Sequence, residues 1–246
     1  MTDTLILGHR GWSARYPENT LLAFRRALDL GCDGLEFDVQ LTADEVPVIL
    51  HDPTVDRTTN GTGRVADLTF AELRRLNAAA RFVGEYSGEA QPIPMLDEVL
   101  DLAYAQYPGG FYNVELKVYD GDGRALVDRV VPMVMAHPLA SRILFSSFHH
   151  GCLEYLKLRY PEAEIGLLYE GPVQEPWRRA KDLGAYSVNL DHRFAADVVA
   201  ECQAQGVRVC VWTVDPPDRI RAFLRQGVDI LISNQPDVAL QVSKEG

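Results

Sequence analysis

Short runs of apolar residues recur along the 246-residue chain, and stretches with helical spacing of apolar positions follow nearly all of them. TLILGH (4–9), DGLEFDV (33–39), FYNVELK (111–117), RILFSS (142–147), EIGLLYE (164–170), YSVNLD (186–191), VRVCVWTV (207–214) and VDILISN (228–234) are rich in Val, Ile and Leu and read as eight strands. Near-continuous apolar runs, each trailed by a helix, are the pattern of parallel strands covered on both faces. Eight strands in 246 residues give about 31 residues per unit, the length of a βα repeat. The helices are punctuated to match: TLLAFRRALDLG stops at Gly31, AADVVAECQAQG stops at Gly206, and Pro216 and Pro217 open the segment carrying RIRAFLRQG. Glycine is favoured just past a last helical turn and proline is tolerated in a first one. The rhythm predicts α/β architecture, a closed (β/α)8 TIM barrel in a single domain over residues 1–246.

One interval breaks the period. About 70 residues separate the second strand from FYNVELK, more than one crossover needs, which predicts an insertion at about 53–110. VPVILHD (46–52) reads as a further extended stretch, paired as a hairpin with LEFDVQL across Thr42-Ala43-Asp44-Glu45. RTTNGTG reads as loop, and TFAELRRLN (69–77) and MLDEVLDLAYAQ (95–106) as helices, with Thr69 and Glu72 at capping-box spacing. The insertion is therefore expected to be a small, mainly helical cap.

Composition bounds what such a barrel can act on. Lys and Arg number 24 against 35 Asp and Glu, a formal net charge of −11, which repels nucleic-acid backbones and anionic membrane surfaces. Nucleic acid is not an expected partner, and any anionic substrate must be captured by local cations. The opening MTDTLILGHR has no basic segment followed by a long apolar run, and no window approaches the ~18 apolar residues of a membrane helix. The expectation is a cytoplasmic protein with no stable membrane insertion. Cys32, Cys152, Cys202 and Cys210 have no paired spacing and read as small buried apolar side chains. No sequence feature speaks to oligomeric state.

Active sites of (β/α)8 barrels sit at the C-terminal ends of the strands, and polar residues crowd there. The first strand ends in His9 and Arg10, the second carries Glu36 and Asp38, and the third carries Glu115 and Lys117. Strand alternation puts each i, i+2 pair on one face. Three carboxylates in apolar strands repel one another and are costly to bury unless a cation or proton compensates. An all-oxygen set without paired Cys or a His triplet suits a hard divalent cation, Mg²⁺ or Ca²⁺. His9, with His51 at the end of VPVILHD, supplies a general acid and a general base, and Arg10 and Lys117 are local anion holders. The residues together point to metal-assisted chemistry on a phosphate ester.

GHRGWSARYPENT (8–20), LEFDVQLTADEVPVILHD (35–52) and RTTNGTG (57–63), followed in order by VELK, SSF, VWTVD and ISNQPD, resemble the signature blocks of glycerophosphodiester phosphodiesterases over nearly the whole chain. The resemblance implies a barrel with an insertion after the second strand, hydrolysing glycerophosphodiesters to sn-glycerol 3-phosphate and an alcohol. It implies Glu36, Asp38 and Glu115 as metal ligands, His9 and His51 as the acid and base pair, and Arg10 and Lys117 as phosphate contacts. It further matches Phe148 and Trp212 to aromatics lining the substrate pocket. Glu18 and Asn19 are read as capping or bracing the loop before the first helix, and Asn234 stands where many members carry Asp. Rival readings are a phospholipase C or D, or lysophospholipase D, of barrel fold, and a non-catalytic binding module.

Overall fold

The computed structural model describes residues 4–84, 86 and 88–245. In chain order it contains β1 (Leu5–His9), α1 (Leu21–Leu30), β2 (Gly34–Leu41), β3 (Pro47–Ile49), α2 (Phe70–Leu73), α3 (Leu96–Gln106), β4 (Phe111–Leu116), α4 (Arg124–Met135) and β5 (Ile143–Ser147). It continues through α5 (His150–Arg159), β6 (Glu164–Tyr169), α6 (Pro176–Leu183), β7 (Ser187–Asp191), α7 (His192–Ala195), α8 (Val199–Ala204), β8 (Arg208–Trp212), α9 (Pro217–Gln226), β9 (Ile230–Ser233) and α10 (Pro236–Lys244). All these strands except β3 are parallel, and β1 pairs with both β2 and β9, which closes the barrel as the rhythm predicts. The extra strand β3 runs antiparallel to β2, pairing Val39 with Ile49 and Leu41 with Pro47, the expected hairpin.

The elements form where local chemistry allows. Thr20 caps α1 by accepting from the Ala23 amide, and Gly31 ends it in the left-handed region at φ 96°, where a side chain is disfavoured. The run 195–206 is not one helix: Asp191 accepts from the Arg193 amide and starts α7 directly off the strand end, and the chain turns before α8 begins at Val199. Among the described residues no helix is long and apolar enough to cross a membrane, and the four cysteines are buried free thiols.

Two apolar layers hold the barrel. The larger fills the space between sheet and helices, with Phe24 and Phe37 in edge contact at 5.7 Å. The smaller plugs the barrel interior with Leu7, Leu144, Cys210, Ile230 and Ile232, leaving the polar positions nearer the strands' C-terminal ends. Gly34 sits at the tightest point of the wall, opposite Phe111 in the β2–β4 ladder. A Cβ there would lie 1.6 Å from the Phe111 carbonyl oxygen, so the two strands would have to part. Gly34→Ala is expected to destabilise the fold by more than about 4 kcal/mol, read as a lowered urea midpoint or loss of soluble protein.

Between β3 and α3 the chain is largely irregular around its own small core of Val48, Leu50, Val55, Val65, Leu73, Ala78 and Ile93. The capping box of Thr69 and Glu72 is present, but α2 stops at Leu73 rather than continuing to 77. Arg74 there turns to Glu98, with both N···O distances 2.5 Å, and to the Ile93 carbonyl. The helix α3 packs on α1 and so serves as the crossover that returns the chain to β4.

Candidate active site

The strand ends carry His9, Arg10, Glu36, Glu115 and Lys117 into one cavity of about 240 Å³, together with His51, Phe148 and Trp212. Asp38 sits just behind the wall, fully buried. Alternation along β2 and β4 explains the arrangement, since Glu36 and Asp38 lie on the inner face and Asp38 is in register with Glu115. Ligand-grade oxygens of Glu36, Asp38 and Glu115 lie within 4.8 Å of one another. Arg10 leaves β1 with a left-handed backbone, φ 55°, a conformation that costs a non-glycine residue energy and persists only where surroundings enforce it. Here the Arg10 amide donates to the Glu36 carbonyl at 2.9 Å, while its guanidinium meets Glu18 at 2.8 Å and Asp38 at 3.2 Å. Lys117 Nζ reaches Asp38 at 3.1 Å and Glu115 at 2.5 Å.

Each histidine has a partner that fixes its ring. His51 Nδ1 lies 2.6 Å from Asp52 Oδ1, Asp52 accepts from Arg57 Nε at 2.5 Å, and Arg57 is clamped by both oxygens of Glu18 at 2.8 Å. Glu18 thereby ties the segment carrying His51 to Arg10. His9 Nδ1 lies 2.6 Å from Asn234 Oδ1, and the Asn234 amide nitrogen donates to Asp215 at 2.8 Å. That second bond orients the amide, so its oxygen must accept and His9 Nδ1 must carry the proton. His9 Nε2 is left with its lone pair, 3.8 Å from Glu36.

The charges are unevenly settled. Burial, then Asp38 and Glu115, hold Glu36 well above the ordinary carboxylate range. Burial also pushes Glu115 up, against Lys117 and with help from Asp38. Burial disfavours the Asp38 anion too, but Lys117 and Arg10 outweigh it and hold Asp38 low. Burial and then the Arg10 charge depress His9 to about 4. Burial lowers His51 as well, with Asp38 opposing and Arg10 and Lys117 assisting.

The donor set fits a hard cation. Three acidic side chains face two fixed cations, and Asp38 Oδ1 is buried without a directed hydrogen bond although Lys117 Nζ stands near it. A further positive charge is what this cluster lacks.

Sequence reading alone brought seven of these residues together as candidates and left their supports unread. Asp52, Arg57 and Asp215 carry little local signal: the adjacency of Asp52 to His51 is a usable one, whereas Arg57 meets Glu18 across 39 residues. Asn19, expected to brace its loop, donates to Asp38 at 2.8 Å.

The profile of the glycerophosphoryl diester phosphodiesterase family matches residues 9–238. A glycerophosphodiester phosphodiesterase of Caldanaerobacter subterraneus subsp. tengcongensis is 37% identical over 251 residues, covering 99% of both chains. One from Bacillus altitudinis is 35% identical, over 98% of this chain and 99% of its own. Among solved structures, a phosphodiesterase of Oleispira antarctica in complex with the product sn-glycerol-3-phosphate superposes with a TM-score of 0.87 at 27% identity, covering 99% of this chain and 98% of that one. Matched from its first strand to its last helix and sharing more than a third of its residues with full-length relatives, this chain belongs to the glycerophosphoryl diester phosphodiesterase family, a family of phosphoric diester hydrolases.

Proposed function

We propose that residues 1–246 act as one catalytic domain that hydrolyses soluble glycerophosphodiesters to sn-glycerol 3-phosphate and an alcohol in the cytoplasm. The observation that carries this is the meeting of two cations and two separately oriented histidines in one cavity with the buried carboxylate triad, of which Glu36 and Glu115 line the cavity and Asp38 lies just behind it. The product bound to the Oleispira antarctica relative supports the glycerol 3-phosphate half. Glu36, Asp38 and Glu115 would hold a divalent cation, Mg²⁺ or Ca²⁺, which supplies Lewis-acid stabilisation of phosphate charge when bound.

Arg10 and Lys117 orient the phosphodiester anion and offset its charge. His9 Nε2, unprotonated because Nδ1 donates to Asn234, takes the proton of the neighbouring glycerol hydroxyl as that oxygen attacks phosphorus. His51 Nε2 gives its proton to the departing alcohol oxygen as the P–O bond breaks. Asp52 favours the imidazolium this requires, and the bound phosphodiester anion adds to that support against the burial and, after it, the Arg10 and Lys117 charges that depress His51. Water then opens the cyclic phosphate with the proton transfers reversed.

The test is glycerol 3-phosphate release from glycerophosphocholine and glycerophosphoethanolamine by chelator-stripped protein resupplied with Mg²⁺ or Ca²⁺. Release that returns only with a divalent ion is expected. Absence of release from every soluble diester with both ions, with turnover of lysophospholipids instead, would replace the proposal with a lysophospholipase reading.

A further inference from the structure

The cavity has two unlike walls. Around the closed sheet, β1, β2 and β4 adjoin one another on one side, and they bring His9, Arg10, Glu36, Glu115 and Lys117 to the cavity. The opposite arc, from β5 through β8, contributes Phe148, Leu168, Glu170 and Trp212. This second wall is apolar apart from one carboxylate and the Thr213 hydroxyl.

Register sets that wall at one level. Tyr169 pairs with Leu190 and Asp191 with Trp212, so Glu170, one residue past β6, stands abreast of the end of β8. Phe148 and Trp212 meet edge to face, with centroids 5.5 Å apart and planes at 85°, so two ring faces meet in a corner. Trp212 is fixed in it by its indole N–H, which donates to the Asn189 carbonyl at 3.0 Å. Lys117 Nζ lies 5.9 Å from the Phe148 ring centre, so the corner begins where the phosphate-holding side ends.

Glu170 is only weakly countered there. The nearest cation to it among the described residues is Arg193, at 3.8 Å, and that guanidinium is engaged by Asp191, with Nε 3.0 Å from each carboxylate oxygen. A carboxylate whose one ion pair is long and shared, on the same wall as two aromatic rings, is the chemistry that recognises an organic cation, above all a quaternary ammonium. A neutral polyol would leave the aromatic corner without a matching surface.

We propose that Phe148, Trp212 and Glu170 form a subsite for a cationic leaving alcohol, so that this chain prefers diesters whose alcohol carries a quaternary ammonium. The subsite rests on the diesterase reading above, and Glu170 acts through its charge on the bound alcohol, remote from the reacting atoms.

The discriminating pair is glycerophosphocholine and its uncharged isostere, the 3,3-dimethylbutyl ester of sn-glycerol 3-phosphate, which keeps shape and loses charge. Wild-type kcat/KM is expected to favour the choline ester by at least about tenfold. In Glu170→Gln that ratio is expected to fall towards one, and in Phe148→Ala to fall in the same direction. Glu170 is a largely exposed side chain, so its variant leaves the fold intact, and Glu170→Asp should restore part of the preference. Equal turnover of the two esters by wild type, or a preference that survives Glu170→Gln, overturns the subsite while leaving the diesterase activity standing. Failure to hydrolyse either ester or any other soluble diester, with metal supplied, overturns both together.

Discussion

Replacing His51 with Ala is expected to lower kcat on glycerophosphocholine by about 10²–10⁴-fold, the usual contribution of a positioned general acid. The role assigned to His51 makes the effect depend on the alcohol. An alkoxide leaving group needs a proton as the P–O bond breaks, whereas a p-nitrophenolate does not. The His51→Ala deficit should therefore shrink greatly on the p-nitrophenyl ester of glycerol 3-phosphate, while a His9→Ala deficit persists on both, because the glycerol hydroxyl must still lose its proton. Asp52→Asn keeps the shape of the His51 partner but withdraws the negative charge that supports the imidazolium, with an expected loss of about 10–100-fold. Equal His51→Ala deficits on the two esters in steady-state kinetics would exclude His51 as the acid.

Glu36→Gln is expected to move activity and metal-free stability in opposite directions. Turnover should fall by at least about 10²-fold, because a carboxylate ligand becomes an amide of weaker donor charge. The metal-free fold should gain stability, since the amide carries no charge that must be buried beside Asp38 and Glu115. The pH sign follows from Glu36 lying above its ordinary value through burial and the Asp38 and Glu115 charges. A carboxylate that is harder to ionise when folded imposes no cost below its unfolded pKa, and the cost grows as pH rises through the folded one. Chelated wild type should thus lose stability relative to Glu36→Gln from weakly acidic towards neutral pH, and saturating Mg²⁺ or Ca²⁺ should reverse the order of melting temperatures. If wild type and variant melt alike across that range, the triad does not store the repulsion described.

The barrel was legible because its signal is local and repeated: each strand is a short Val, Ile and Leu run and each helix a periodic one, so closure needed only their number. The β2–β3 hairpin was legible for the same reason. Seven candidate polar residues could be read because a charged side chain or a histidine in or at the end of an apolar strand conflicts with its surroundings. What could not be read joins residues distant along the chain. Asn234 lies 225 residues from His9, and its amide matters only once Asp215 is seen to turn the amide oxygen towards the ring. Glu170 was the last letter of a strand-like run, and nothing in the run marks it as the lone charge on an aromatic wall. Helix α2 was overextended because a periodic pattern cannot report that Arg74 is drawn aside by Glu98.

The piece between β3 and α3 has a core of its own and reaches the reacting groups through the Arg57 clamp on Glu18 and Asp52. Mutational load is thereby partitioned. Natural variation can redesign this visor, and with it the shape of the mouth, against a stability reserve separate from the one that keeps the barrel closed. The constraint on such drift is narrow: so long as one guanidinium continues to join the two carboxylates, the visor can change its sequence without releasing His51.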